Sequence, residues 1–365
     1  MKIGFVAEPY EEKNASGMGH VVLELIDAFL KKDSQNEFVV YSSATFAKKR
    51  MSSNATNVLI PKNFFHKIYW FFRNHSECDV LFFIVPLLPL ILPRESKTIL
   101  ICQELASQKI KPDNLFESIK AFLRDKVLMP ISLKRGSLII AASNATKFDL
   151  LKFYNLNESK IKVIYNGYQK FQEPIKSSCN PNQRPYFFFA GKVKYRKNVH
   201  GIVEAFIKFI SKHNVDCDLK IAGSYGGEYY ENILENIGKN GLIDKVKFLG
   251  YADKDQMFHL YKNCVACLFP SINEGFGMPI VEAMSLGAPV VTSNISSMSE
   301  VAGEAGILVD PFNTDQLANA MWNIFSDKNL RNNLIKKGKD RSKLFSWDKA
   351  AKEYLENAYY LTDAN

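Results

Sequence analysis

Two carboxylates frame a glycine-rich stretch in the second half of the chain, within the sequence NEGFGMPIVEAM. Glu274 and Glu282 have seven residues between them, among them two glycines and Pro279. Glycine lets a backbone approach a ligand closely, and proline suits the first turn of a helix, whose free N–H groups bind anions. Carboxylates accept hydrogen bonds from vicinal hydroxyls. The pattern is typical of a site for a sugar and a ribose joined by phosphates. The alternative is a solvated loop glutamate beside a glutamate that is stabilised by a helix N-terminus.

A second stretch, FFFAGKVKYRKNVHGIVEAF, repeats the order strand, glycine, loop and helix. Gly191 ends the apolar run, and Asn198 is the predicted N-cap of the helix. Between them lie four cations, Lys192, Lys194, Arg196 and Lys197. Cations crowded at a helix N-terminus repel one another and the helix dipole, which indicates that an anion binds there. We interpret the loop as a diphosphate site, against the alternative of an ordinary soluble surface.

A weaker glycine pattern follows the first strand. Gly17 and Gly19 stand before a helical pattern in NASGMGHVVLELI, but Val22 occupies the position of the third glycine in GxGxxG. The pattern still predicts a close approach of the backbone to a phosphate or a sugar.

Short apolar runs alternate along the chain with segments of helical periodicity. The runs are continuous, which is typical of strands buried on both faces of a parallel sheet, and the helices between them supply the crossovers. The runs start at Lys2, Phe38, Val80, Thr98, Ser137 and Lys162, and again at Tyr186, Asp218, Lys245, Ala266, Pro289 and Ala305. We therefore predict an α/β protein with two doubly wound, Rossmann-like domains that face each other across a cleft.

A polar segment with three prolines, QKFQEPIKSSCNPNQRP, separates the two series and indicates a linker. The predicted organisation is an N-terminal domain (1–170), a linker (171–185), a C-terminal domain (186–344) and a helix (345–365) that packs back on the N-terminal domain. Because ligands of open α/β sheets bind beyond the carboxyl ends of the strands, the motif loops are expected at the cleft.

The composition narrows the range of partners. A net charge of +9 and a pI of about 9.0 favour phosphorylated small molecules, an anionic membrane or nucleic acid. No compact basic block or nucleic-acid signature is present, so nucleic acid is not expected. The six histidines have no ligand spacing, and the Asp216-Cys217-Asp218 triplet precedes its strand, so we predict neither a metal nor a cofactor. Cys264 and Cys267 lie in an apolar run and are expected to be buried, reduced thiols.

The sequence predicts no transmembrane segment. The apolar run LFFIVPLLPLILP holds three prolines and is shorter than the roughly 20 residues that a spanning helix needs. No signal peptide is expected at the N-terminus, which begins with a strand pattern. The aromatic and basic segment 63–75 is either a core helix or a helix lying on an anionic membrane. We expect a cytoplasmic protein, with possible peripheral contact at the inner face of the membrane.

The EGFGMPIVE motif resembles the signature of the group 1 glycosyltransferases, a retaining family of the GT-B fold. The similarity extends to GKVKYRKN, to SNATKFDL from Ser143, to VIYNG and to FSW from Phe345, and so covers nearly the whole chain. It implies a metal-independent hexosyltransferase with a nucleotide-sugar donor and a glycan or lipid-linked acceptor, in polysaccharide or glycoconjugate synthesis. The N-terminal domain would bind the acceptor and the C-terminal domain the donor. Similarity of SNISSMSEV to polysaccharide mannosyltransferases favours GDP-mannose.

The resemblance also implies roles for single residues. Glu274 would contact donor-sugar hydroxyls, and Glu282 the ribose. Lys197, with Lys192 or Arg196, would hold the diphosphate and stabilise its charge as it leaves. The remaining predicted donor contacts are Gly17, Gly19, Gln103, Gly223, Tyr251, Ala252, Phe276, Gly277 and Met278.

One position departs from the family pattern. The family has His-Asp after the strand that corresponds to TILIC, whereas this chain has Gln103 and Glu104. Glutamine forms hydrogen bonds but does not titrate, which argues against a histidine-assisted step. The resemblance implies attack on the same face of the sugar, assisted by the leaving phosphate. Two other hypotheses remain open: a nucleotide-sugar epimerase of similar shape, and a sugar-nucleotide or glycan-binding protein that has lost activity.

Overall fold

The computed structural model describes residues 1–7, 17–32, 35–45, 52–61, 78–89, 97–105, 119, 121–174 and 184–363. The chain divides into two compact units, one formed by Met1–Gly167 with Ser346–Asn365 and the other by Tyr168–Phe345. The aromatic segment 63–75 and most of the predicted linker lie outside the described residues.

The first unit contains a seven-stranded parallel sheet in the order β3-β2-β1-β4-β5-β6-β7. Its strands are β1 (Lys2–Val6), β2 (Glu37–Ser42), β3 (Ala55–Leu59), β4 (Val80–Phe83), β5 (Lys97–Cys102), β6 (Leu138–Ala141) and β7 (Ile161–Val163). The second unit contains a six-stranded parallel sheet in the order β10-β9-β8-β11-β12-β13. Its strands are β8 (Tyr186–Ala190), β9 (Asp218–Ala222), β10 (Val246–Gly250), β11 (Ala266–Phe269), β12 (Val290–Ser293) and β13 (Gly306–Val309).

Helices connect these strands. In the first half they are α1 (Gly17–Lys32), α2 (Met129–Arg135), which continues a π-helical segment (Leu123–Leu128), and α3 (Asn144–Phe153). The second unit holds α4 (Val199–His213), α5 (Glu228–Lys239), α6 (Lys254–Lys262), α7 (Met278–Ser285), α8 (Ser296–Ala302), α9 (Thr314–Ser326) and α10 (Lys328–Ser342). The last helix is α11 (Trp347–Asp363), which belongs to the first unit.

In both sheets the order in which strands are added reverses at one strand, β1 in the first unit and β8 in the second. The chain builds outward from β1 through β2 to β3, then returns to the other side with β4; in the second unit it does the same from β8, returning with β11. This is the doubly wound order, in which loops diverge at the switch point and leave a crevice at the carboxyl ends of the strands. The predicted α/β class with two doubly wound, Rossmann-like units is confirmed.

Aromatic side chains fill the layers between sheet and helices. In the first unit the Phe5 ring stacks on Phe82 at 5.1 Å, and Phe29 of α1 packs on Tyr354 of α11 at 5.9 Å. In the second unit the Phe187 ring lies edge-on to Phe209 of α4 at 5.3 Å. Each such ring buries about 150–250 Å² and removes it from water, so these contacts hold the sheets and helices together.

Two sequence expectations differ from the structure. Strand β3 was not predicted, because Thr56 and Asn57 interrupt its apolar residues and its side chains are partly buried or exposed. Gly17 and Gly19 were expected before the first helix, but α1 begins at Gly17 and includes both. Glycine is a poor helix former, so composition alone placed the helix start too late.

Candidate active site

The two motif loops leave adjacent strands at the switch point of the second sheet. Strands β8 and β11 pair in parallel, with Phe187 opposite Ala266, so their carboxyl ends meet at one edge. The cationic loop follows β8, and the Glu274 loop follows β11. A backbone hydrogen bond from Ile272 N to Arg196 O, 2.8 Å long, joins the two loops. The fold therefore brings together the two stretches that the sequence singled out.

A buried charge cluster forms where these loops meet. Lys197 Nζ lies 2.6 Å from Glu274 Oε1, and Arg196 Nη1 lies 3.3 Å from Glu274 Oε2. The Glu274 side chain is only 8% exposed and that of Lys197 14%. The Lys197 ammonium also lies 4.9 Å from the centroid of the Phe269 ring. Because the site is shielded from water, these charges interact far more strongly than surface pairs do.

The hydrogen bonding of Glu274 is incomplete. Its Oε1 atom is buried, but among the described residues no donor reaches it with the geometry of a hydrogen bond. The Lys197 contact at 2.6 Å is thus an ion pair made off the hydrogen-bonding direction. A carboxylate oxygen has two lone pairs, so Oε1 retains acceptor capacity beyond the Lys197 ion pair.

Two serines of α8 hold the backbone of Glu274. Ser296 Oγ donates to Glu274 O at 2.7 Å and accepts from Glu274 N at 3.3 Å, and Ser297 Oγ donates to the same carbonyl at 2.9 Å. Ser296 has φ +58°, a left-handed backbone conformation that residues other than glycine rarely adopt. Sequence reasoning missed both serines, although SNISSMSEV contains them.

Asn198 occupies the N-cap position of α4, as predicted, but its side chain forms no hydrogen bond to the helix N-terminus. Its backbone has φ +58°, and its side chain donates to Pro270 O at 3.1 Å and Pro311 O at 2.6 Å. A left-handed residue cannot direct its side chain along the helix start as an extended cap does. Asn198 instead fastens the cationic loop to the loops that follow β11 and β13.

The predicted glycines meet specific geometric needs. Gly277 has φ +93° and precedes α7, and Gly223 has φ +136°. A Cβ on Gly223 would lie 2.1 Å from Gly191 O, so the loops after β8 and β9 touch there. Phe276 is buried and packs edge-on to Phe345 at 5.4 Å, and Met278 begins α7. These residues shape the loop between Glu274 and the helix.

Glu282 lies on α7 and forms a second carboxylate centre. It accepts a hydrogen bond from the Tyr261 hydroxyl at 3.0 Å. Burial raises its pKa to about 7, while the Tyr261 hydroxyl and the backbone N–H of Gln169 act in the opposite direction. The carboxylate is therefore half protonated near neutral pH.

The other predicted residues lie at exposed or separate positions. Lys192 is exposed on the cationic loop, and Tyr251 is 86% exposed after β10, beside the partly buried Ala252. Gln103 lies in the first unit, where its amide forms reciprocal hydrogen bonds with Asn166, Nε2 to Oδ1 at 3.3 Å and Nδ2 to Oε1 at 2.7 Å. Both ends of the Gln103 side chain are thus engaged.

No grouping of three or more His, Cys, Asp or Glu side chains suited to a metal ion occurs among the described residues. Asp216 is paired with Arg184 at 3.0 Å and Lys245 at 3.3 Å, and Asp218 begins β9 at the edge opposite the candidate site. Burial raises the pKa of the Cys264 and Cys267 thiols. The acidic triplet and these thiols therefore serve structure at their positions.

Comparison with known proteins agrees with this geometry. Residues 170–341 match the family model described as glycosyl transferases group 1. This match lies entirely within the second unit, Tyr168–Phe345. The predicted family is confirmed on the residues that carry both motif loops.

Curated relatives match over part of their length. An uncharacterized glycosyltransferase of Methanocaldococcus jannaschii is 31% identical over 243 residues, which cover 63% of this chain and 61% of that protein. O-antigen chain mannosyltransferase B of Escherichia coli is 28% identical over 239 residues, covering 63% of this chain and 62% of the relative. The chain thus spans about three fifths of the length of these relatives.

Solved structures extend the likeness to the whole fold. Sucrose-phosphate synthase from Thermosynechococcus elongatus superposes with a TM-score of 0.79 at 18% identity, over 100% of both chains. HepE of Anabaena, solved with UDP and glucose, superposes with a TM-score of 0.74 at 16% identity over 99% of this chain and 100% of its own. The fold is that of the GT-B glycosyltransferases, as predicted.

None of the helices within the described ranges is both long enough and apolar enough to cross a membrane.

The raised pKa of Glu282 predicts a pH-dependent stability difference. Between pH 4.5 and 7 the folded protein holds a proton on Glu282 that the unfolded chain has released, so this group's contribution to stability is lost as pH rises. Glu282→Gln removes the titration. We expect the melting temperature of the variant, relative to wild type, to rise between pH 4.5 and 8, by the equivalent of on the order of 1–3 kcal/mol.

Thermal unfolding followed by circular dichroism at several pH values measures this difference. Glu304→Gln, at a carboxylate that is 93% exposed, is the matched control and should show a nearly constant offset. A constant offset for Glu282→Gln as well would contradict the buried, protonated state.

Proposed function

We propose that this protein is a retaining, metal-independent glycosyltransferase that moves a hexose from a nucleotide-sugar donor to a glycan or lipid-linked acceptor, in polysaccharide or glycoconjugate synthesis. The observation that carries the proposal is the shielded cluster of Glu274 with Arg196 and Lys197 at the switch point. It combines cations for a diphosphate with an acceptor for sugar hydroxyls. The names of the relatives support the same class of reaction.

The proposed donor site follows the order of the loops. Arg196 and Lys197 bind the diphosphate, together with the backbone of Phe276, Gly277 and Met278 at the start of α7. Glu274 Oε1, which has unused acceptor capacity, accepts from hydroxyls of the sugar. Glu282 holds the ribose, and the exposed Tyr251 ring offers a face to the base.

The proposed reaction follows from these charges. The bond between the anomeric carbon and the diphosphate oxygen breaks, and negative charge develops on the phosphate, where Arg196 and Lys197 stabilise it. The acceptor hydroxyl oxygen bonds to the anomeric carbon on the same face and passes its proton to a phosphate oxygen. Configuration at the anomeric carbon is thereby retained, and no titrating group is needed at Gln103.

For the donor we propose GDP-mannose. The names of the relatives support it: O-antigen chain mannosyltransferases of Escherichia coli and Salmonella typhimurium match this chain at 28% and 29% identity. UDP-glucose is the alternative, since HepE of Anabaena has been solved with that molecule. We also propose a cytoplasmic location, which fits the reduced thiols of Cys217, Cys264 and Cys267.

The test is the fate of the donor sugar. Purified protein is incubated with GDP-mannose or UDP-glucose and a short mannoside acceptor, in the presence of a chelator, and the first-formed product is followed by proton NMR. We expect the anomeric configuration of the donor to be kept. Inversion in the product would contradict the mechanism, epimerised donor without acceptor would favour the epimerase, and no turnover of either donor would favour a binding protein.

Glu274→Gln should lower turnover about 100-fold or more, because the amide presents a donor where the sugar hydroxyl needs an acceptor. Glu228→Gln, at an exposed carboxylate in the first turn of α5, is the control and should stay near wild-type activity. Equal activity of the Glu274 variant, with an unchanged melting temperature, would refute the assigned role.

We also propose a peripheral contact with an anionic membrane, which a lipid-linked acceptor requires. Phe122, Leu123, Val127 and Ile131, on the π-helical segment and α2, are 43–62% exposed. Basic side chains flank them on the same elements, Lys126, Lys134 and Arg135. An exposed apolar face with basic flanks is complementary to an anionic lipid surface.

Co-sedimentation with vesicles tests this contact. The double variant Phe122→Ser/Leu123→Ser should lose most binding to vesicles of phosphatidylglycerol and phosphatidylcholine, whereas Phe148→Ser, at a ring 65% exposed on α3, should not. Binding that is unchanged in the double variant, or absent in wild type, would overturn the proposal.

A further inference from the structure

Tyr261 is a buried tyrosine whose hydroxyl is directed at a predicted site residue. It lies at the end of α6, is fully shielded from solvent, and donates to Glu282 Oε2 at 3.0 Å. Tyrosine is rarely buried without a hydrogen-bond partner. Here the partner is the carboxylate that is predicted to hold the ribose, so the contact bears on the site as well as on the core.

The surrounding aromatic side chains fix the Tyr261 ring. Phe188 of β8 meets it edge-on at 5.0 Å, and Phe171 packs on it at 5.9 Å. Tyr186 stabilises the end of α6, because its hydroxyl donates to His259 O at 3.2 Å and Leu260 O at 3.0 Å. The phenol oxygen therefore has little freedom to leave Glu282.

We propose that Tyr261 is a positioning residue for the ribose, because its hydroxyl fixes the Glu282 carboxylate in the orientation that accepts the vicinal ribose hydroxyls. The inference rests on the proposed nucleotide-sugar function. The Tyr261 hydroxyl and the backbone N–H of Gln169 use part of the acceptor capacity of the carboxylate. A carboxylate offers about four lone-pair sites, so enough remain for two ribose hydroxyls.

The titratable groups around Glu282 stay neutral near pH 7, so the ionisation of Glu282 itself determines the local charge. Those that face it or Tyr261 are the Cys264 and Cys267 thiols, and burial raises the pKa of both as well as that of the Tyr261 hydroxyl, so all stay neutral near pH 7. The pKa of Glu282 itself is raised to about 7. Only its ionised form accepts from both ribose hydroxyls, and the Tyr261 hydroxyl favours that form.

The experiment compares nucleotides that differ only at the ribose. UDP, GDP and ADP, and the 2′,3′-dideoxy form of each, are titrated calorimetrically into wild type, Tyr261→Phe and Tyr186→Phe. Tyr186→Phe is the matched control: it removes a buried tyrosine hydroxyl that supports the same helix through the carbonyls of His259 and Leu260. Melting temperatures establish that each variant is folded.

Wild type should prefer the ribonucleotide over its dideoxy form by about tenfold or more, and this preference should grow as pH rises through 7. Tyr261→Phe should lose most of the preference, shift its pH midpoint upward and leave dideoxy binding nearly unchanged, while Tyr186→Phe keeps the preference. Protonation of the phosphate affects both nucleotides equally, so it does not change the ratio of their affinities.

The two failures are distinguishable. If wild type binds none of these nucleotides, the proposed function fails. If wild type distinguishes ribose but Tyr261→Phe retains that preference, or Tyr186→Phe loses it equally, the inference is wrong and the hydroxyl serves only the core.

Discussion

The site depends on one buried ion cluster. Glu274 is nearly shielded from water and lies against two cations from a different loop. Removing either side leaves an uncompensated buried charge, which costs several kcal/mol. The remaining features of this edge serve that arrangement: Asn198 and Ile272 join the loops, and the serines of α8 fix the Glu274 backbone. The backbone contacts of the two loops hold these charged side chains close to one another.

The same cluster bears on how the proposed site binds a diphosphate and releases it. Without ligand, Glu274 pairs with both cations that the proposed diphosphate would bind. Lys197 and Arg196 therefore have an anionic partner in both states, which avoids leaving them unpaired in a low-dielectric environment. The carboxylate also competes with the diphosphate for these cations, which favours release of a nucleotide product after transfer. Binding and release therefore both depend on the charges of Glu274, Arg196 and Lys197.

Much of this was predictable from the sequence because it depends on local rules. Continuous apolar runs gave the strands, and the position of EGFGMPIVE after ACLFPS placed Glu274 at a strand end. What could not be predicted depends on contacts distant in sequence. Asn198 bonds to carbonyls 72 and 113 residues away, and Tyr261 reaches Glu282 from another helix. Strand β3 was not predicted because its apolar side chains form no continuous buried run, and its pairing with β2 is what identifies it as a strand.

Calorimetric titration with UDP, GDP, dTDP and ADP, in the presence of a chelator, tests the central claim most directly. Wild type should bind at least one of them. Lys197→Met, which keeps the aliphatic stem over Phe269, should abolish binding, and Glu274→Gln should strengthen it by removing the competing charge. Binding that needs a metal, or that survives in folded Lys197→Met, would contradict a donor site built on this cluster.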